Sequence, residues 1–236
     1  MDLTAILRQS PLLGACAEAG CVHVSLFGPA IHAMGRYADV DIHAVAPRVN
    51  SELFAKISGA AGLTARELGS EWLLEMRHGP FRPEPPSRQL HLILDDTRSL
   101  GQSSSAVRMS RAAAGRLLFG QPLPAHSGDS RTCARECLAE LERWRNALAR
   151  RTMPYREWAL DREPRLREKA LPIESGPEWA CALRGAAKAG RLHYGMAMAL
   201  AGRAPAAGGN FASLDEALQV LDGWVRETRT VYSEIH

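Results

Sequence analysis

Between Val22 and Val45 the chain leaves one apolar strand through a glycine turn and a polar excursion. It then enters a second apolar strand with two carboxylates two residues apart, Asp39 and Asp41. Residues i and i+2 of a strand project from the same face, so both carboxylates point one way while Val40 and Ile42 point the other. A chain built around this strand needs a sheet with one apolar face and one face that tolerates paired negative charge. Two like charges held so close repel unless a cation lies between them, which suits a hard divalent ion such as Mg²⁺. The glycine turn beside them lets a phosphate approach the backbone.

The segment Leu26 to Val45 (LFGPAIHAMGRYADVDIHAV) resembles the signature of the nucleotidyltransferase superfamily that includes polymerase-beta-like, kanamycin and minimal nucleotidyltransferases. Phe27-Gly28-Pro29 stands for the family's Gly-Ser turn and Asp39-Val40-Asp41 for its Asp-x-Asp, at a matching separation. The resemblance implies Asp39 and Asp41 as catalytic metal ligands, and Phe27, Gly28, Pro29 and Arg36 as the nucleotide-binding set. It also implies Mg²⁺ as cofactor, with Mn²⁺ as the alternative. Two departures stand out. Pro29 occupies the place of the serine and offers a phosphate neither hydroxyl nor N–H. The third carboxylate, expected early in the run Leu90-His91-Leu92-Ile93-Leu94, is replaced by His91. Asp95, four residues on and on the same face, is the substitute metal ligand. A neutral imidazole is a poorer Mg²⁺ ligand than a carboxylate and suits Mn²⁺ or Zn²⁺ better. His43 shares the face of Asp39 and Asp41.

Composition excludes several classes. At 236 residues with 46% hydrophobic and 23% charged residues, the chain suits one large or two small globular domains. Its net charge of +3 carries no nucleic-acid signal. Neither an apolar run of membrane-spanning length nor a signal-peptide core is present, so the expectation is a cytoplasmic protein without a membrane partner. The odd number of cysteines, 5, does not read as a disulfide framework. Cys133 and Cys137 lack companions at zinc-site spacing and read as packing residues.

The pattern along the chain predicts an α+β protein: a small mixed-sheet domain over residues 1–100, covered by helices on one side, then an all-α helical bundle over 101–236. Met1 to Cys21 reads as a short amphipathic helix. Ser51 to Ala61 reads as a helix with Ser51 at its N-cap, and Trp72 to Met76 and Leu90 to Leu94 as strands. Leu90, Leu92 and Leu94 are assigned to the core. From Ser99 onward strand signals almost vanish. Helices are expected over Ala106 to Leu118, Arg131 to Arg151, Pro177 to Leu200 and Ser213 to Ile235. The stretch Ala114 to Pro124 (AGRLLFGQPLP) resembles the family's helix-to-loop junction, and the order of domains resembles members whose C-terminal helices close over the substrate.

The resemblance therefore implies an enzyme that moves a nucleoside monophosphate from an NTP to a hydroxyl of a small molecule, releasing pyrophosphate. A protein acceptor is a variant of that reading, and a homodimer that completes the site is an arrangement the sequence leaves open. Glu136, Glu140 and Glu142 are general-base candidates by location, although a solvated helix face explains them as well. The alternative is a degenerate relative that binds a ligand or partner without nucleotidyl transfer, favoured by Pro29 and His91. Pairing with a HEPN ribonuclease is a third reading. The helical half lacks the Arg-x₄₋₆-His motif of a fused one.

Overall fold

The computed structural model describes residues 3–27, 39–69, 71–77, 88–123, 129–205 and 209–235. Gly28, Pro29 and Arg36 lie outside these residues. The N-terminal segment forms two helices, α1 (Leu3–Arg8) and α2 (Pro11–Glu18), where one was expected. Ser10 separates them: its hydroxyl accepts from Leu13 N, and Pro11 occupies the first turn of α2, where no N–H is needed.

Five strands follow in a mixed sheet of order β3-β4-β2-β1-β5. They are β1 (His23–Phe27), β2 (Asp39–Ala46), β3 (Trp72–Glu75), β4 (Arg88–Asp96) and β5 (Arg116–Gly120). β1 runs antiparallel to β2 and β5, while β4 runs parallel to β2 and β3. Parallel neighbours need a long crossover, and α3 (Ser51–Leu68) lies in the stretch from β2 to β3. Its cap is Asn50 and not Ser51, because the Asn50 side chain reaches Leu53 N at 2.8 Å.

Period two sorts the sheet into two faces. Val24, Leu26, Val40, Ile42, Ala44, Leu90, Leu92 and Leu94 pack with α1, α2 and α3 in one apolar core, as the alternation in β4 predicts. The opposite face holds His23, Ser25, Asp41, His43, His91 and Asp95, and all six are buried as well.

Two parts of the chain depart from the sequence-based reading. Helix α4 (Ser105–Ala114) stops at Gly115, and the residues that follow form β5 instead of a last helical turn. A short Leu-Leu-Phe run fits helix and strand periods equally, and only a partner edge decides between them. Here that partner is β1, which β5 joins from beyond residue 100. Gly120 closes the strand at φ +78°, where an added Cβ would lie 2.3 Å from the Val22 carbonyl oxygen. The second departure is an antiparallel hairpin, β6 (Thr152–Ala159) and β7 (Arg165–Pro172). Pro154 and a high density of charge hide it from pattern reading. Its Trp158 and Leu166 enter the sheet core, while Met153 enters a second core among the helices.

That second core is made by α5 (Ser130–Ala149), α6 (Gly176–Leu200) and α7 (Leu214–Glu234). Their starts are written locally. Asp129 caps α5, Ser175 and Glu178 form a capping box on α6, and Ser213 caps α7. Of the stripe that the helical period picks out, Leu138, Leu141, Trp144, Ala147 and Leu148, the last four are buried and Leu138 is half-buried, and Cys133 and Cys137 are buried too. Trp224 of α7 stacks on Tyr194 with ring centroids 5.3 Å apart and lies against Gly190 of α6. A Cβ at Gly190 would sit 2.4 Å from a Trp224 ring carbon. Gly190→Ala is therefore expected to lower unfolding free energy by about 1–3 kcal/mol through overpacking, measurable by urea denaturation. An added Cβ at half-buried Gly195 on the same helix meets nothing within 4 Å, so Gly195→Ala is the neutral-to-stabilising control.

Candidate functional site

The register of the strands lays the polar face out in rows. Phe27 of β1 lies opposite Asp41 of β2, which lies opposite His91 of β4, which lies opposite Glu75 of β3. One row further, Ser25 lies opposite His43 and His43 opposite Ile93. Asp39 stands at the start of β2, half-buried, two residues from Asp41 on the same face.

His91 joins this row together. Its Nδ1 lies 2.9 Å from Asp41 Oδ1, and its Nε2–H donates to the backbone carbonyl of Arg77, so both ring nitrogens are engaged by protein partners. Arg77 in turn forks onto Glu75, with Nε to Oε1 at 2.8 Å and Nη2 to Oε2 at 2.7 Å. Burial works against the Glu75 carboxylate, but the Arg77 hydrogen bonds and charge outweigh it and hold its pKa below the usual value. Arg77 also lies over the Tyr155 ring of β6, 5.5 Å from its centroid.

Asp95 is fully enclosed. His43 Nε2–H donates to its Oδ2 at 2.8 Å, the Ser99 hydroxyl donates to Oδ1 at 3.0 Å, and Arg111 Nη1 from α4 approaches Oδ2 at 3.5 Å. Arg111 lies over the Phe27 ring at 5.7 Å, with its side chain only 12% exposed. Burial pulls the Arg111 pKa down, and the carboxylates of Asp95 and Asp41 oppose that pull. Burial likewise depresses His43 to a pKa of about 4, with the Asp95 hydrogen bond acting the other way. His43 is therefore neutral near pH 7, and its Nδ1 has no hydrogen-bond partner among the described residues. His23 receives the Ser25 hydroxyl at Nε2 and donates from Nδ1 to the Gln121 carbonyl, and burial lowers its pKa too.

Asp39 differs from the other acids. Burial and the neighbouring Asp41 push its pKa up, against the opposing influence of Lys188 on α6 and of His91. It is the partly open carboxylate of the pair, and it faces the helical half.

The structure thus brings Asp39, Asp41 and His91 to one end of the polar face, beside Phe27. Asp95 is also on that face but four residues further along β4, opposite Val45, and committed to His43, Ser99 and Arg111. Among the described residues no group of three or more His, Cys, Asp or Glu side chains is placed to hold a metal ion. The expected metal-bound trio Asp39, Asp41 and Asp95 does not fit this arrangement: Asp95 is sealed among protein partners, and Asp41 is hydrogen-bonded to His91. Of the general-base candidates, Glu140 pairs with Arg143 and Arg156, and Glu142 with Arg229. Sequence reading missed Arg111 and Lys188. Arg111 lies in the last turn of α4, and nothing local signals that it is buried against Asp95.

No family model matches the chain, and no curated protein matches it. Among solved structures, it is similar to a chain from a Shewanella oneidensis complex described as a tri-AMPylated HEPN toxin with MNT antitoxin. The identity is 16%, the match covers 61% of this chain and 90% of that one, and the TM-score is 0.27. A chain from a toxin–antitoxin complex with AMP-PNP matches at the same identity and TM-score, over 60% and 90%. No helix among the described residues is long and apolar enough to cross a membrane.

The depressed histidines make stability pH-dependent. The unfolded chain protonates His43 near its ordinary value of 6.5 and the folded chain only near 4. Between those values the unfolded state binds more protons, so stability is fully present above pH 6.5 and falls as pH drops toward 4. The loss from His43 is on the order of 3 kcal/mol at 1.36 kcal/mol per pK unit, and His23 and His193 shift in the same direction. Urea midpoints from pH 7.5 to 4 are expected to show this slope, and His43→Gln to flatten it.

Proposed function

We propose that this chain is a nucleotidyltransferase-fold protein that binds a nucleoside triphosphate at the Asp39/Asp41 end of its sheet and does not perform two-metal nucleotidyl transfer. The observation that carries the second half of this reading is His91. It holds the place of the third carboxylate, and both its ring nitrogens are taken up by Asp41 and the Arg77 carbonyl. The first half rests on the motif from Phe27 to Asp41 and on the placement of its described residues. Asp39 and Asp41 share one face beside Phe27, and the charge of Lys188 in the helical half opposes the upward push on the Asp39 pKa.

A second reading keeps the enzyme: transfer of an NMP group to a hydroxyl of a small-molecule or protein acceptor. One observation favours it. Asp39 is a partly open carboxylate with its pKa raised, suited to take a proton from an acceptor hydroxyl. This chemistry would leave the attacking oxygen bonded to the α-phosphorus and release pyrophosphate.

Melting each of the four NTPs with the protein tests the binding. A ligand that binds only the native state stabilises it by about 2.7 kcal/mol at a hundredfold excess over Kd. A raised Tm with one or more NTPs, reduced by Lys188→Ala, is the expected result. Pyrophosphate release measured alongside separates the readings. Sustained release that disappears in Asp39→Asn would establish the transferase, and binding without release is the outcome expected here.

A further inference from the structure

Each carboxylate on the polar face already faces a cationic or N–H group supplied by the protein. Asp41 accepts from His91 at 2.9 Å. Asp95 accepts from His43 and Ser99 and faces Arg111. Asp39 feels Lys188 from α6. In a site of bare carboxylates, polyphosphate and acids repel one another, and a divalent ion is needed between them. Here the negative charge is met from within, by two groups of the sheet and two of the helical half. A Mg²⁺ ion entering this face would have to displace the His91–Asp41 hydrogen bond. It would also have to reach Asp95, which is wholly enclosed, past a guanidinium 12% exposed.

We infer that the site binds the nucleotide without a divalent cation, with Arg111 and Lys188 in the electrostatic role of the metal and His91 holding Asp41 by a hydrogen bond. This rests on the reading of the Asp39/Asp41 end as a nucleotide site. His91 and Arg111 act through the carboxylates they hold and are positioning residues. Lys188, on an exposed face of α6, is the group left to meet the phosphates directly.

Two measurements on the whole protein decide the matter separately. In the first, Mn²⁺ alone is titrated into the wild type and into Asp39→Asn/Asp41→Asn, with free Mn²⁺ followed by electron paramagnetic resonance. The expected result is that both chains leave Mn²⁺ equally free. Binding by the wild type that the double variant loses would overturn the inference. In the second, affinity for the stabilising NTP is measured calorimetrically with Mg²⁺ and with EDTA. Kd values within about threefold of each other, less than 1 kcal/mol apart, are expected. A loss of about thirtyfold or more in EDTA would overturn the inference while leaving the nucleotide-binding reading intact. If no NTP binds in either buffer, the inference falls as a statement about nucleotide along with that reading. The Mn²⁺ titration then still decides whether the carboxylate face is closed to metal. Arg111→Lys adds a readout that a merely structural role would not move. It keeps the charge but loses the fork, and a Mn²⁺ site appearing in this variant while its Tm stays near wild type is the expected sign that the guanidinium keeps metal out.

Discussion

Asp95 has no exposed surface, and a carboxylate in that position must be answered by hydrogen bonds and charge or else abandon its ionisation. The answer comes from three directions: His43 on the neighbouring strand, Ser99 in the 3-10 turn that follows β4, and Arg111 from α4. The last of these ties the helical half to the sheet. Removing one partner of such a buried pair typically costs about 3–5 kcal/mol, because the remaining charge stays buried. The docking of α4 over the polar face and the ionisation of Asp95 are therefore one event.

The same constraint explains why a sheet with one polar face is buried on both. Its apolar face packs on α1, α2 and α3 in the ordinary way. The other is covered only because its charges are matched across elements: Asp41 with His91, Glu75 with Arg77, Asp95 with Arg111. The β6–β7 hairpin braces this arrangement. Trp158 donates from its indole nitrogen to the Leu94 carbonyl at 2.9 Å, Tyr155 underlies Arg77, and Met153 reaches the helical core. A two-stranded ribbon has little stability of its own, so the hairpin owes its form to the two cores it bridges.

The site's chemistry follows from this enclosure. Asp39 stays partly open because it begins β2. Asp41 and His91, one step further in, are already spoken for. A face that is solvated and metal-bound would show carboxylates with free oxygens pointing at a common centre. Here Asp41 and Asp95 are turned to protein donors, and Asp39 alone of the three is left partly open.

Much of this was readable without coordinates. The alternation in Leu90 to Leu94 gave the buried face of β4, the spacing of Asp39 and Asp41 placed both acids on one side of β2, and the start of α3 was read to within a residue, with Ser51 taken for the cap that Asn50 provides. All of these are local: they depend on a strand's period of two, a helix's period of 3.6, or a side chain three residues from the amide it caps. What the sequence could not show is whatever depends on a distant partner. β5 is a strand because β1 offers it an edge, the hairpin survives because two cores hold it, and Arg111 is buried because Asp95 is. The resemblance put His91 on a strand beside Asp41, but whether its nitrogens would face a metal or protein partners was decided only when the register set it opposite Asp41 and the chain after β3 brought the Arg77 carbonyl alongside. Local periodicity determines which way a side chain points, and tertiary packing determines what it finds there.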